Sequence, residues 1–212
     1  MTNLLSNYVV VMNGPPRSGK DTLARLIRGA TSVVPRTFKT KLIEIALEIS
    51  GVDRRTWDNW YEHAKELPRA QLWGHSCRSF LIMVSEDMIK PNLGQAFFGA
   101  AAANDLLRNK AYLEQFGAIF TDSDFPDELK EVVAAVGADR VIVVQLHRCG
   151  TSIEGDSRQY LIRDDFPDVE FIQQQNDRPV ENVAADLVGT LQAVINEKRK
   201  NGFTQKRISS NA

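Results

Sequence analysis

The sequence has few of the features that indicate a secreted protein, a protein stabilised by disulfides or a structural metal, or a membrane-spanning protein. It has two cysteines, Cys77 and Cys149, which form neither a close metal-ligand pair nor a disulfide framework, so we expect free thiols. No apolar run approaches the roughly 18 residues that a membrane span needs. The first residues, MTNLLSNY, lack the basic and apolar regions of a signal peptide. We therefore expect a cytoplasmic protein with no membrane partner.

The chain also lacks a strong net charge of either sign. Its 26 basic and 27 acidic side chains give a formal net charge of −1, so no global field draws it to nucleic acid or to an anionic membrane. It has no internal repeat and no low-complexity tract. A length of 212 residues predicts one domain with a sizeable core, which we place at residues 1–197. A flexible basic tail is expected at residues 198–212.

Strand and helix signals alternate along most of the chain. Short β-branched and apolar runs predict strands at 8–12, 33–38, 117–121, 140–146 and 169–173. Apolar residues at helical spacing predict helices at 21–29, 41–49, 126–136 and 181–195. This alternation predicts an α/β protein, a three-layer α/β/α sandwich whose parallel sheet is covered on both faces.

Residues 53–110 differ from the rest because they carry little strand signal. They predict short helices and two longer ones at 79–89 and 96–107, separated by Lys90-Pro91 and Gly94. The stretch is too long for a simple crossover between parallel strands. We interpret it as a helical insertion that covers one side of a site.

The strongest functional signal is VVVMNGPPRSGKDTLARLI at residues 9–27, where an apolar strand pattern meets a helical one. Gly14, Gly19 and Lys20 match the G-x-x-x-x-G-K spacing of a phosphate-binding loop (P-loop). Glycines let backbone N–H groups converge on a polyanion, and the start of a helix adds its positive dipole end. Lys20 supplies a cation for the β- and γ-phosphates of a nucleotide. The stretch therefore predicts a bound nucleoside triphosphate.

The same loop departs from the general motif, because Asp21 follows the lysine and Thr22 comes after it. GPPRSGKDT resembles the loop of nucleoside monophosphate kinases, which read GPPGSGKGT. The resemblance implies a P-loop NTPase fold that binds ATP and Mg²⁺, with Thr22 orienting the metal. Arg17 replaces a glycine and adds a second charge over the phosphates, whereas Asp21 either lies near Mg²⁺ or caps the helix. The expected nucleotide-binding residues of the loop are Gly14, Pro15, Ser18, Gly19, Lys20, Asp21 and Thr22.

A second acidic element lies in GAIFTDSDFPDEL, where a short strand pattern ends at Asp122. Such a carboxylate faces the ligand crevice of a parallel sheet, where it can hold Mg²⁺ through water. Alternatively, Asp122 caps the helix that starts near Pro126. The segment also resembles the D-x-R-F-P-x-E run of phage deoxynucleoside monophosphate kinases, with Asp124 in place of the arginine. An acid at that position points to an altered acceptor.

The resemblance extends to CRSFLIMVSEDMIKPNLGQAFFG, which is similar to an arginine-led helix followed by an F-G segment in those kinases. It implies that Arg78 points toward the acceptor phosphate, with Lys90 as a weaker candidate. The alternative for Arg78 is a solvated position on a helix surface.

Positive charge is also expected after the clearest strand. Residues 148–166 predict an arginine-bearing lid, in which Arg148 and Arg158 serve the migrating phosphoryl group and Arg163 serves the acceptor. In the resembled kinases the connection after the last strand lies against adenine. Asn176 is therefore expected to read the base edge, or else to form a simple turn with Asp177.

Three functions remain open at this level. The first is an ATP- and Mg²⁺-dependent kinase that converts a deoxynucleoside monophosphate to its diphosphate, in the host cytoplasm if the chain is phage-encoded. The second is a P-loop kinase acting on a hydroxyl, such as 5-hydroxymethyl-pyrimidine in phage DNA, with Asp124 or Asp21 as general base. The third is a nucleotide-binding switch or assembly module that hydrolyses ATP slowly. DNA is a partner only under the second function, and a homodimer is compatible with all three.

Overall fold

The computed structural model describes residues 3–123, 125–153 and 160–209, with side chains described as far as residue 200. Two residues singled out from the sequence, Asp124 and Arg158, lie outside the described residues.

A parallel sheet forms the centre of the protein. Its strands are β1 (Val9–Asn13), β2 (Val34–Arg36), β3 (Ala118–Phe120), β4 (Val141–His147) and β5 (Glu170–Gln175). Within the described residues these five strands pair in the order β2–β3–β1–β4–β5. All the pairs are parallel, and Val11 lies opposite Phe120 on one side and Val143 on the other. Pro35 is tolerated because β2 is an edge strand, where a missing N–H costs little.

Helices cover both faces of the sheet. On one face, α1 (Lys20–Thr31) packs on α9 (Val180–Ser209), and their apolar side chains join Val10 and Met12 of β1 in one cluster. On the other face, α6 (Phe97–Arg108), α7 (Lys110–Phe116) and α8 (Pro126–Val136) contribute to a second cluster with Val9 and Val11. Successive residues of β1 thus point to opposite layers, as the period of a strand requires. The predicted three-layer α/β/α sandwich is confirmed.

The segment between β2 and α6 is helical and has its own core. It contains α2 (Lys39–Ser50), α3 (Arg54–His63), α4 (Cys77–Ile82) and α5 (Lys90–Leu93), together with a 3₁₀ turn at Ala70–Leu72 and a π-helical segment at Met83–Ile89. Buried side chains from α2, α3 and α4, among them Leu42, Trp57 and Phe80, form a third apolar cluster.

Two predicted helix boundaries are wrong. The break at Lys90-Pro91 does not occur, since α4, the π-helical segment and α5 follow one another without interruption as far as Gly94. Pro91 stands in the first turn of α5, directly after the π-helical segment, and its missing N–H interrupts the hydrogen bonding there without ending the helix. The last helix also passes its predicted end at Ile195 and continues to Ser209. Residues 196–209 contain no proline, and lysine, arginine and glutamine favour a helix.

The expectation of free thiols is confirmed, since Cys77 is buried, Cys149 is exposed and both are unbridged. Burial raises the pKa of the Cys77 thiol, so it stays protonated at neutral pH. Among the helices of the described ranges, none combines the length and the apolar character that crossing a membrane requires.

Candidate functional site

The loop from Gly14 to Gly19 joins β1 to α1 at the carboxyl edge of the sheet and has a backbone that glycine makes possible. Gly14 has φ +150° and Gly19 has φ +98°, and Arg17 between them is left-handed at φ +65°. A Cβ on Gly14 would lie 2.7 Å from the carbonyl oxygen of Leu146, and one on Gly19 would lie 2.4 Å from Nδ2 of Asn176. Both positions therefore exclude a side chain by conformation and by space.

The start of α1 offers backbone donors to this loop. Gly19 occupies the cap position, and a glycine has no side chain with which to cap the first turn. Asp21 lies inside that first turn and is exposed, so it does not hold the cap position that one reading gave it. The uncapped N–H groups and the positive end of the helix dipole therefore face the loop, as an anion site requires.

Lys20 lies across the mouth of the loop. Its Nζ donates hydrogen bonds to the carbonyl oxygens of Gly14 and Pro15, the latter at 3.1 Å. The side chain is half-buried, so its ammonium group is held beside the uncapped end of α1.

Ser18 is the most enclosed polar side chain of the loop. It is 0% exposed, and its Oγ has no hydrogen-bond partner among the described residues. A Cβ placed on Gly14 would lie 3.3 Å from this oxygen. A buried hydroxyl without a partner costs free energy unless a ligand or water meets it.

Two side chains from neighbouring strand ends support the loop from outside. Asn176 is 5% exposed and donates from Nδ2 to the carbonyl oxygen of Ser18 at 2.6 Å. Arg148 donates from Nη1 to the carbonyl oxygen of Arg17 at 3.2 Å. The amide group expected to read a base is thus used to hold the loop, and base reading by Asn176 stays a prediction.

Asp122 lies at the carboxyl edge of the sheet and binds the start of α2. Its carboxylate accepts hydrogen bonds from Thr37 Oγ1, from Phe38 N at 3.1 Å and from Lys39 N at 3.2 Å. Lys39 Nζ lies 3.8 Å from the same carboxylate, whose side chain is 7% exposed. Asp122 therefore stabilises the N-terminus of α2 and not that of α8, where one reading placed it. Its role toward Mg²⁺ stays a prediction.

The other predicted acceptor residues are scattered. Arg78 is exposed and pairs with Glu66 at 3.5 Å, on the surface of the helical insertion. Arg163 is exposed in a short turn after Leu161. These contacts do not bring either arginine to the loop, and the acceptor roles of both stay predictions.

Lys90 is buried between the helical insertion and the segment after β3. Its Nζ donates to Oε1 of Glu86 at 2.7 Å and lies 4.2 Å from the ring centroid of Phe125. Its side chain is 4% exposed, so it is a packed cation and not a surface charge. A burial of this degree needs the carboxylate and the ring as partners.

A polar cavity of about 300 Å³ lies beside β2, where no acceptor residue was expected. Its charged lining residues are Arg36, Lys41, Glu44, Asp105 and Arg108. Arg36 Nε lies 3.2 Å from Asp105 Oδ2, and Lys41 Nζ lies 3.1 Å from Glu44 Oε2. The signal that could have found it is the basic run RTFKTK after the second strand, together with Asp105 and Arg108 one turn apart on α6.

The sheet sets the distance between this cavity and the loop. Arg36 of β2 lies level with Phe120, which lies level with Val11 of β1. Two strand spacings of about 4.8 Å separate β2 from β1, so the cavity lies about 10 Å to one side of the strand that carries the loop. Asp122 contacts Thr37 at the rim of the cavity, and the carbonyl of the next residue, Ser123, accepts a hydrogen bond from Asn13 at the end of β1.

Comparisons with known proteins find similarity to solved structures alone. No family model and no curated protein sequence matches the chain. An unliganded sugar kinase from Janibacter sp. is 14% identical with a TM-score of 0.46, over 89% of this chain and 98% of that one. A gluconokinase from Sinorhizobium meliloti is 12% identical with a TM-score of 0.42, over 94% of this chain and 97% of that one. At these identities and scores, neither neighbour bears on what this chain acts on.

Proposed function

We propose that the protein is an ATP-dependent phosphotransferase that uses Mg²⁺ to convert a deoxynucleoside monophosphate to its diphosphate. The observation that carries the proposal is the loop between β1 and α1. Gly14 and Gly19 have positive φ, Lys20 lies across the mouth and α1 begins directly after Gly19. Converging N–H donors and an ammonium group stabilise a polyphosphate.

Phosphate binding would exchange the contacts of Lys20. Its Nζ now donates to the carbonyl oxygens of Gly14 and Pro15. A phosphate oxygen is a better acceptor for an ammonium group than a neutral carbonyl, because charge-assisted hydrogen bonds are about twice as strong. Arg17 and Arg148, joined through the carbonyl of Arg17, place further positive charge at the rim of the loop.

The residues present fit a magnesium ion that takes most of its ligands from phosphate and water. Within the described residues no group of three His, Cys, Asp or Glu side chains could hold a metal by itself. Mg²⁺ at nucleotide sites keeps several waters and takes one or two protein ligands. Thr22 in the first turn of α1 would supply a hydroxyl, and Asp122 would act through water. When bound, the ion neutralises charge on the β- and γ-phosphates.

The chemistry asks little covalent participation of the protein. An acceptor phosphate is already anionic, so it needs no general base to become a nucleophile. The chain's contribution would be to hold donor and acceptor in line and to neutralise charge as the phosphoryl group moves.

The cavity beside β2 is the best place for the acceptor. Its volume of about 300 Å³ is at the lower end of the range for small-molecule sites. Arg36, Lys41 and Arg108 line it, and an acceptor phosphate would compete with Asp105 and Glu44 for these cations. A site of mixed charge that already holds its cations in place suits an anionic acceptor.

Replacing Arg108 by glutamine should weaken acceptor binding without affecting ATP. A lost hydrogen bond to a charged group is worth about 1.5–3 kcal/mol, so the KM for the acceptor should rise about 10- to 100-fold. The KM for ATP should stay within about twofold, since Arg108 lies in the cavity beside β2. Initial rates at varied acceptor concentration measure the effect. Arg78→Gln is the matched control, and an effect confined to Arg78→Gln would move the acceptor site to the insertion surface.

An acceptor screen tests the proposed function itself. Labelled ATP is offered with each deoxy- and ribonucleoside monophosphate, and with hydroxymethylated DNA in parallel. Transfer to a deoxynucleoside monophosphate is the expected result. Transfer to modified DNA alone would replace the proposal with a hydroxyl kinase, and ATP hydrolysis without any acceptor would indicate a switch or assembly module.

Replacing Asn176 by alanine should weaken ATP binding while leaving the fold intact. The change removes the hydrogen bond from Nδ2 to the carbonyl of Ser18 and leaves the loop less ordered. Because a hydrogen bond contributes ~1 kcal/mol net, the Kd of ATP should rise about fivefold. Titration calorimetry with ATP measures it. The control is Asn196→Ala, which removes an exposed amide bonded to Gln192 on α9; equal ATP affinity in both variants would contradict the assigned contact.

A further inference from the structure

We propose that Gln145 is a positioning residue, whose carboxamide ties Leu161 to the end of the strand that carries the phosphate loop. The tie is a chain of side-chain amides, Asn13, Gln145 and Gln173, which we name the carboxamide relay. Its consequence for catalysis rests on the proposed function, whereas the tie itself does not.

Asn13 is the first member of the carboxamide relay and the last residue of β1. It is 0% exposed, and its Nδ2 donates to the carbonyl oxygen of Ser123 at 2.9 Å. Its Oδ1 accepts from Gln145 Nε2 at 3.1 Å and from Leu161 N at 3.0 Å. One side chain thus joins the ends of three chain segments, directly before Gly14.

Gln145 completes the hold on Leu161. Its Nε2 also donates to the carbonyl oxygen of Leu161 at 2.8 Å, and its Oε1 accepts from Gln173 Nε2 at 2.7 Å. Leu161 is therefore bound through both its N–H and its C=O, although it belongs to no strand. Gln145 is 7% exposed, so water does not readily replace these contacts.

The direction of every amide in the carboxamide relay follows from one backbone group. The carbonyl of Leu161 can only accept, so Gln145 must present its nitrogen there and its oxygen to Gln173. Gln173 then presents its oxygen to His147, 2.6 Å from Nε2, which must carry a proton. A single orientation satisfies the whole chain, and this makes the tie specific.

Tyr160 strengthens the same anchor from the neighbouring position. Its hydroxyl donates to the carbonyl oxygen of Leu146 at 2.8 Å, and its ring stacks on His147 with centroids 5.0 Å apart. Burial raises the pKa of Tyr160, so the hydroxyl stays a donor at neutral pH.

The connection that leaves β4 is thereby held at both of its ends. At the outgoing end, Cys149 N donates to Oδ1 of Asp177 at 2.7 Å, next to Arg148 on the loop. At the returning end, the carboxamide relay holds Leu161 and the Tyr160 hydroxyl binds Leu146. Loosening that end removes the two hydrogen bonds that Asn13 Oδ1 accepts, directly before the first residue of the loop.

The experiment compares two glutamine-to-glutamate variants that carry the same charge change. In Gln145→Glu, a carboxylate replaces the donor that faces two oxygens, Asn13 Oδ1 and the carbonyl of Leu161. In Gln174→Glu, the lost contact is a local one, to the carbonyl of Gln175. We expect amide hydrogen exchange at Leu161 to speed up about tenfold or more in Gln145→Glu and to stay unchanged in Gln174→Glu.

The kinetic readout separates positioning from a general loss of stability. For Gln145→Glu we expect kcat to fall about tenfold with the KM for acceptor nearly unchanged, because misplaced loop groups weaken the transition state. Gln145→Met removes the donors without adding charge and should speed amide exchange at Leu161 in the same way. It replaces the glutamate variant in the test if that variant folds poorly.

Unchanged exchange at Leu161 in both Gln145 variants would overturn the tie. Faster exchange with an unchanged kcat would overturn its role in positioning. If the wild-type protein transfers phosphate to no acceptor, the proposed function fails, and exchange at Leu161 still decides whether the carboxamide relay holds this segment.

Discussion

Replacing Lys20 by methionine should remove most of the phosphotransfer activity. The variant keeps the length of the side chain but loses the ammonium group that lies across the loop between Gly14 and Pro15. Loss of one donor that stabilises transition-state charge costs about 100- to 1,000-fold in kcat. Initial rates with saturating ATP and the best acceptor of the screen measure the effect.

The matched control for this prediction is Lys110→Met. Lys110 is exposed at the start of α7 and pairs with Glu114 at 3.7 Å, so its loss should change kcat by less than about twofold. A Lys20→Met enzyme that keeps the wild-type kcat would contradict the proposed function, whatever the acceptor.

Replacing Gly99 by alanine should lower the free energy of unfolding, although alanine is a better helix former than glycine in α6. A Cβ on Gly99 would lie 2.5 Å from the Cα of Glu128 and 2.8 Å from its carbonyl oxygen, at the crossing of α6 and α8. Backbone atoms cannot move aside like a flexible side chain, so we expect the free energy of unfolding to fall by about 1–3 kcal/mol. Urea unfolding at 25 °C measures the change.

Two other helical glycines supply the controls. Gly29 in α1 and Gly189 in α9 have no atom within 4 Å of an added Cβ. Gly29→Ala and Gly189→Ala should each raise the free energy of unfolding by about 0.5–1 kcal/mol, because alanine loses less backbone entropy in a helix. Equal changes in the free energy of unfolding at all three positions would show that Gly99 and Glu128 do not approach as closely as the 2.5 Å contact requires.

The Gly99 variant also tests whether the cavity beside β2 takes the acceptor, as proposed above. Asp105 and Arg108 of α6 line the cavity, and α6 packs against α8 through Gly99. If the helix shifts to accommodate a methyl group, the acceptor KM should rise while the Kd of ATP stays near the wild-type value. Helix α1 lies on the opposite face of the sheet from this contact.

Much of the architecture is already visible in the chain's local patterns. The apolar run of β4 and the helix Pro126–Val136 were expected almost residue for residue. Strands buried on both faces need continuous apolar stretches, and helices on a sheet need apolar residues at helical spacing. The phosphate loop could also be predicted from a local pattern, because the glycines and the lysine of its motif lie within seven residues of the chain.

The wrong predictions concern features that the local sequence pattern does not determine. The helix break at Lys90-Pro91 was wrong because a π-helical segment places Pro91 in a new first turn. The alternative in which Asp122 caps α8 was wrong, because its observed partners lie at the start of α2, more than eighty residues earlier. The charges of the cavity beside β2 come from β2 and α2, which are neighbours in the chain, and from α6, which follows much later.

Local chemistry thus accounts for the strands, most of the helices and the phosphate loop, since each depends on residues close together along the chain. The partners of Asp122, Asn176 and Gln145 depend on which strand ends become neighbours. That choice follows from the strand order, in which β1 lies between β3 and β4. Packing of distant segments therefore decides the pairing of Arg36 with Asp105 in the cavity beside β2 and the contacts of the carboxamide relay, because no short stretch contains both members of these contacts.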